Sequence, residues 1–391
     1  MIERFISYVL KSSGILYSRF IRERILPYLM RNNHAALYWL YSRIYAEDIL
    51  YTDEIIKVIA PFYKKSPFCY VDIGCSSGID KKWRDFPKES IKIYGVDPVR
   101  EEIDRLKKDE RMPNITYHNM FIGTSNVELL QRTHEELAKL FGRFSLHSAN
   151  ECGEFNDFAD NAQLEKVDSV LISKITLDDF YKNDLNSSCD FIKIDTDGYD
   201  IDVLMSGDSC LKHVIGVQTE MAFQHLGQPN ASSFSNIDNY LQSRGFILAK
   251  MSPQNSYSLK ELPASFEFNM YAETTRGIPW QCDGVYLRDL TTPEACREFG
   301  EMGFVTLCKA LSLYVFFDLH DWAARLLLGH KDIFQENGFS VDELLNMLTP
   351  KVFDCKLSYQ QYMDLFKGNP SLFLRRNTNR LRKEAKRILR H

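Results

Sequence analysis

Four carboxylates and one imidazole stand where apolar runs give way to small residues. Asp72 lies in Tyr70-Val-Asp-Ile-Gly-Cys-Ser-Ser-Gly78, and Asp97 follows Ile91-Lys-Ile-Tyr-Gly-Val96 and precedes Pro98. Asp195 follows Asp190-Phe-Ile-Lys-Ile194, and Glu220 closes Val214-Ile-Gly-Val-Gln-Thr-Glu220, with His225 shortly after it. An acid beside a glycine turn suits a ligand with a positive end. A second acid roughly 20 residues further on is placed to take both hydroxyls of a ribose. Gly74 and Gly78 let the backbone turn tightly and approach a ligand closely, and Ser76 and Ser77 between them are small and polar. This is not the dinucleotide pattern G-x-G-x-x-G, because residue 76 is Ser. Asp97 also reads as a helix cap ahead of Pro98, and the two roles are compatible. Behind Asp195, the acids Asp197, Asp200 and Asp202 crowd around Gly198. Such crowding calls for compensation by Lys193, a metal or a cationic ligand. For Asp200 and Asp202, solvated helix-cap roles are the simpler reading.

Positioning these groups requires strands that end together. Short apolar runs at 68–73, 91–96, 114–121, 167–172, 190–194, 214–220, 245–249 and 282–288 are expected as strands. Helical patterns alternate with them, including 98–108, 127–141 and 234–244, so the fold class is α/β with a mostly parallel sheet. In such sheets ligands sit beyond the C-terminal strand ends, where Asp72, Asp97, Asp195 and Glu220 would gather. Three segments follow: helices over 1–60, the sheet domain over 61–290, and a helical extension over 291–391 with a basic end.

Composition excludes several classes. The chain has 391 residues, 45% hydrophobic and 26% charged, as in a soluble globular protein. A net charge of −5 gives no global sign of nucleic-acid binding. Nine scattered cysteines without a C-x-x-C pair argue against a disulfide framework or zinc site and for a reducing cytoplasm. No apolar run is long enough to span a bilayer. Arg4, Lys11, Arg19, Arg22 and Arg24 form the basic face of an amphipathic N-terminal segment. That segment lies on a membrane surface, or it packs on the chain or a second subunit, giving a homo-oligomer. The basic stretch 375–390 is a solvated terminal helix, the commoner outcome, or is drawn to phosphate, nucleic acid or an acidic membrane surface, with no interleaved aromatics for base stacking. The expected location is cytoplasmic, either free or peripheral at the inner membrane face.

Taken in order, VDIGCSSG, YGVDP, TLDDF, DFIKIDTDGYDIDVL, VIGVQTEM and CDGVYLRD resemble the S-adenosylmethionine-dependent methyltransferases of the FkbM family. The resemblance covers roughly residues 68–290. Where that family usually reads K-I-D-V-E-G-x-E, Asp197 and Asp200 replace the glutamates; its G-A-N-x-G is Gly74-Cys-Ser-Ser-Gly78 here, and Asp97 stands for its ribose Glu. The resemblance implies a Rossmann-like, seven-stranded class I methyltransferase sheet. It also implies S-adenosylmethionine as cofactor, held by Asp72, Gly74, Ser76, Ser77, Gly78, Asp97, Pro98, Phe121, Ile122 and Asp195, with Phe121 and Ile122 over the adenine. The implied reaction is O-methylation of a hydroxyl on a sugar, glycan or natural product. His225 is the candidate base, with Asp195 and Glu220 supporting it. The same three residues have donors for one divalent ion such as Mg²⁺, and both readings stay open. A nicotinamide-dependent oxidoreductase and a non-catalytic scaffold with a relict domain are the rival functions.

Overall fold

The computed structural model describes residues 54–76, 78–124, 144–147, 174–186, 188–196, 198–223, 232–252, 255–259, 278–299, 303–352, 355–374 and 377–389. The expected helices within 1–53 and at 127–141, and the expected strand at 167–172, lie outside these residues. Two compact units are present: residues 56–345, and a second made of 1–55 with 346–391.

In the larger unit, strand β1 (Phe68–Ile73) is buried at every position, as its unbroken apolar run requires. It lies between β2 (Ile91–Asp97) and β7 (Phe191–Ile194), parallel to both. The chain runs outward from β1 to β2 and then β3 (Ile115–Asn119). It then returns across β1 to β7 and β8 (Gly216–Ala222). The sheet order β3-β2-β1-β7-β8 therefore reverses direction at β1, which opens a crevice beyond Asp72 and Asp195. The last strand, β11 (Ile278–Arg288), enters antiparallel beside β8. Strands β9 (Phe246–Met251) and β10 (Asn255–Leu259) follow one another along its other edge. The short β5 (Phe144–His147) extends that edge further. This is the expected mostly parallel sheet, enlarged at its antiparallel margin.

Some boundaries differ from the sequence reading for local reasons. The third strand stops at Asn119, because Phe121–Ile122 (β4) pairs with Lys174–Ile175 (β6) in a separate two-stranded ribbon. Helix α1 is Lys81–Arg84, and α2 (Arg100–Asp109) begins two residues after Pro98, with Val99 at its cap. Helix α3 (Leu177–Asn183) starts at Thr176, whose hydroxyl accepts from the Asp179 N–H as an N-cap should. Helices α4 (Asp200–Met205) and α5 (Phe234–Gln242) follow β7 and β8. One core packs Val71, Ile73, Ile192, Ile194, Val217 and Met221 against Leu177, Phe180, Ile201, Val203 and Leu241.

The compact unit continues past the expected end of the sheet domain at residue 290. Helices α6 (Phe304–Phe316), α7 (His320–Gly329) and α8 (Lys331–Glu336) belong to it. On α6, Lys309 places its ammonium 2.8 Å from Asp190, whose carboxylate also accepts from the Cys69 N–H. Both side chains are buried, so the pair ties α6 to the base of β1 and β7. Trp83 stacks between Tyr70 and Phe316, with ring centroids 4.1 Å away on each side. Helix α9 (Val341–Leu348) runs to the second unit, which holds α10 (Tyr359–Gly368) and α11 (Thr378–Ile388).

Candidate active site

The parallel register sets a polar row across one face of the sheet. Asp72 lies opposite Lys193, and Lys193 lies opposite Gln218. On the next strand pair, Glu220 lies opposite Asp283. Residues directly opposite share a face, so these side chains converge toward the C-terminal ends of β1, β7 and β8.

Lys193 organises the row. Its Nζ is 3.0 Å from Asp195 Oδ2 and 3.4 Å from Asp72 Oδ1. Asp72 is 1% exposed, and its second oxygen accepts from the Tyr70 hydroxyl at 2.9 Å. Burial pushes the Asp72 carboxyl up, while Lys193 and the Tyr70 hydroxyl pull it back. For Lys193 itself, burial opposes the charge, but Asp72 and Asp195 outweigh it and hold the ammonium protonated. Asp195 is open by comparison, its side chain 42% exposed. Asp283 is raised by burial and by the charge of Asp195, and Gln218 donates to it. These relations gather Asp72, Lys193, Asp195, Gln218 and Asp283 into one electrostatic group.

The glycine turn is built against this group. Gly74 has φ +87°, and a Cβ there would lie 1.8 Å from the Asp195 carbonyl oxygen. The glycine is required by the neighbouring strand end itself, a reason the sequence reading assigned to a ligand. Gly74 and Cys75 donate to the Val96 carbonyl, and Asp195 N–H donates to Ile73 O, which stitches three strand ends together. Gly78 also has φ +87° but meets Leu106 Cδ2 at 3.3 Å. Ser76 is exposed between them. At the tip of β2, Asp97 is 5% exposed and its Oδ1 accepts from the Val99 N–H at 2.8 Å. Pro98 sits half-buried beside it, in the turn ahead of the helix.

Asp200 does not take the alternative role of a solvated cap. It is fully buried at the start of α4, accepting from the hydroxyls of Thr196 (3.2 Å) and Thr219 (3.1 Å) and from the Glu220 N–H (3.3 Å). Burial, and then the charge of Asp195, push it up to about 7. Asp202 faces elsewhere, accepting from the backbone and hydroxyl of Thr124.

The structure thus brings Asp72, Gly74, Gly78, Asp97, Asp195 and Glu220 to adjoining strand ends. Phe121 is 8% and Ile122 2% exposed, and Ile122 belongs to the core, so the chain itself covers that side chain. Ser77, Asp197 and His225 lie outside the described residues. Gln218 and Asp283 were missed by sequence reasoning. The signal for Asp283 was an acid, followed by Gly284, inside an otherwise apolar final strand. Among the described residues, no three His, Cys, Asp or Glu side chains are grouped to hold a metal ion. The eight described cysteines are free, buried thiols, and no described helix is long and apolar enough to cross a membrane.

Residues 72–248 match the family model described as the methyltransferase FkbM domain. No curated protein matches the chain. A putative S-adenosylmethionine-dependent methyltransferase from Listeria monocytogenes is 9% identical, with TM-score 0.27, covering 56% of this chain and 90% of that one. A TehB-like SAM-dependent methyltransferase from Corynebacterium glutamicum is 11% identical, with TM-score 0.23, covering 67% and 99%. A SAM-dependent methyltransferase from Archaeoglobus fulgidus is 12% identical, with TM-score 0.26, covering 64% and 99%. Similarities at this level assign no residue a role.

Proposed function

We propose that the chain, whose residues 72–248 are an FkbM methyltransferase domain, methylates a hydroxyl oxygen of a sugar, glycan or natural product. The family is S-adenosylmethionine-dependent, and the residues present fit that cofactor. Asp72 is a carboxylate kept beside a cation and a hydroxyl donor at the glycine turn, suited to an ammonium group. Asp97 is a carboxylate oriented by a backbone N–H at the next strand tip, suited to a ribose diol. When bound, S-adenosylmethionine would supply an electrophilic methyl group on its sulfonium, which the acceptor oxygen would attack in line as the C–S bond breaks and S-adenosylhomocysteine leaves.

The observation that carries the acceptor reading is the exposed carboxylate of Asp195, held by Lys193 next to Asp72. Its position lets it accept a hydrogen bond from a hydroxyl while Asp72 serves the cofactor. Glu220 and Asp283 add carboxylates on the neighbouring pair of strands, which suits an acceptor with several hydroxyls. His225, following β8, is the proposed base that takes the hydroxyl proton as the C–O bond forms.

Two measurements test this. Thermal unfolding with S-adenosylhomocysteine at a hundred times its dissociation constant should show a gain of about 2.7 kcal/mol, with no gain from NAD. Methyl transfer from labelled cofactor to a panel of saccharides, amines and thiols should favour saccharide hydroxyls. Transfer to amines alone would overturn the acceptor class while leaving the cofactor intact.

A further inference from the structure

The basic end of the chain is a separate feature that methyl transfer leaves unused. Residues 375–390 hold eight Arg or Lys and one Glu, a net of +7 in a chain whose total is −5. Most of this stretch forms α11, and its apolar side is already occupied. Ala385 is fully buried with Val352, Cys355 and Leu357, and Leu381 and Ile388 pack on the same cluster. The apolar stripe is therefore not available for insertion into a bilayer. What remains outward is charge. Arg380, Lys383, Lys386 and Arg387 are exposed, and of these Arg387 is paired with Glu384 at 2.6 Å. At about 100° per residue these four fall within an arc of about 120°, opposite Leu381, Ala385 and Ile388.

Two large apolar side chains flank the basic arc in sequence: Leu374 is 48% and Leu389 49% exposed. A polybasic arc with apolar side chains at its ends matches a surface that is anionic and greasy at shallow depth. Nucleic acid is the weaker fit. Single strands are held by aromatic rings that stack on bases, and α11 carries none.

We infer that α11 docks the protein on an anionic phospholipid surface, through Arg380, Lys383, Lys386 and Arg387. The sheet domain of the same chain would then work at that surface, whatever its acceptor. Attraction is electrostatic, so it falls with ionic strength.

The test is co-sedimentation of the full-length protein with vesicles of phosphatidylcholine alone, or of phosphatidylcholine containing phosphatidylglycerol. Binding is expected only with phosphatidylglycerol, and it should vanish at high salt. Each charge removed should weaken binding about fivefold, so Arg380→Glu/Lys383→Glu/Lys386→Glu should reduce it more than a hundredfold. Unchanged S-adenosylhomocysteine affinity in that variant would show that the sheet domain remains folded. Equal binding to both vesicle types would overturn the proposal in favour of apolar insertion. Tight binding of a labelled single-stranded RNA, with no binding to either vesicle at the same salt, would overturn it in favour of nucleic acid. Should the triple variant fail to fold, the lipid and salt comparison on the unmodified protein decides alone.

Discussion

Lys193 and Asp72 lie side by side on adjoining strands, with Nζ 3.4 Å from a carboxylate oxygen of a side chain only 2% exposed. Removing one partner of such a pair leaves the other charge buried and uncompensated. Lys193→Met should therefore cost about 3 kcal/mol in denaturant unfolding. It should also raise the Asp72 carboxyl further, so S-adenosylhomocysteine affinity becomes pH-dependent and improves as pH rises. Titration calorimetry at several pH values measures this. Asp72→Asn added to Lys193→Met should recover part of the lost stability, because the two changes share one interaction. Additive losses would mean that the pair is uncoupled.

The two glycines of the turn should respond differently. Gly74→Ala places a Cβ on the Asp195 carbonyl oxygen, and backbone atoms must move to relieve it. Gly78→Ala meets only a flexible leucine methyl, so its cost is mainly the left-handed backbone, about 1 kcal/mol. Thermal unfolding should show a clearly larger loss for Gly74→Ala. Equal losses would count against the stitched strand ends described above.

Asp200 predicts a pH effect. Its carboxyl has a reference value of 3.8 and sits near 7 in the fold. Between those values the native state holds a proton that the unfolded chain has released, so stability falls as pH rises through that window. The slope from this group reaches about 1.4 kcal/mol per pH unit. Asp200→Asn mimics the protonated form and should flatten the unfolding profile between pH 4 and 7 relative to the unmodified protein. Parallel profiles would show that Asp200 is ionised throughout.

At the proposed chemical step, His225→Ala should lower kcat by about a hundredfold or more while S-adenosylhomocysteine affinity stays within twofold. Asp195→Asn should raise KM for the acceptor and leave the thermal shift from S-adenosylhomocysteine in place. Unchanged kcat in His225→Ala would remove that residue from the mechanism.

The acids at strand ends were legible because strand, turn and acid are contiguous: Asp72, Asp97, Asp195 and Glu220 each follow or close a short apolar run. Asp283 and Gln218 were hidden because their membership depends on register between strands far apart in sequence. Asp200 and Asp202 look alike in sequence, yet one faces Thr196 and the buried Thr219, and the other Thr124. Only the rotation of α4 separates them. Helix α6 read as an appendage because its polar ties to the sheet, Lys309 with Asp190 and the Tyr314 hydroxyl donating to the Arg288 carbonyl, join residues far apart in sequence, which local pattern cannot announce.

The placement of β11 bears on how the chain reaches this state. Among the described residues it is the last strand in sequence, yet it sits between β8 and β9 and closes both. Until residues 278–288 have left the ribosome, β8 and β9 each present an unpaired edge open to other chains. Sheet closure depends on contacts across long stretches of sequence, which makes folding slow. A nascent or truncated chain ending before β11 should therefore aggregate, even though the parallel strands β1, β2, β3, β7 and β8 have all been synthesised.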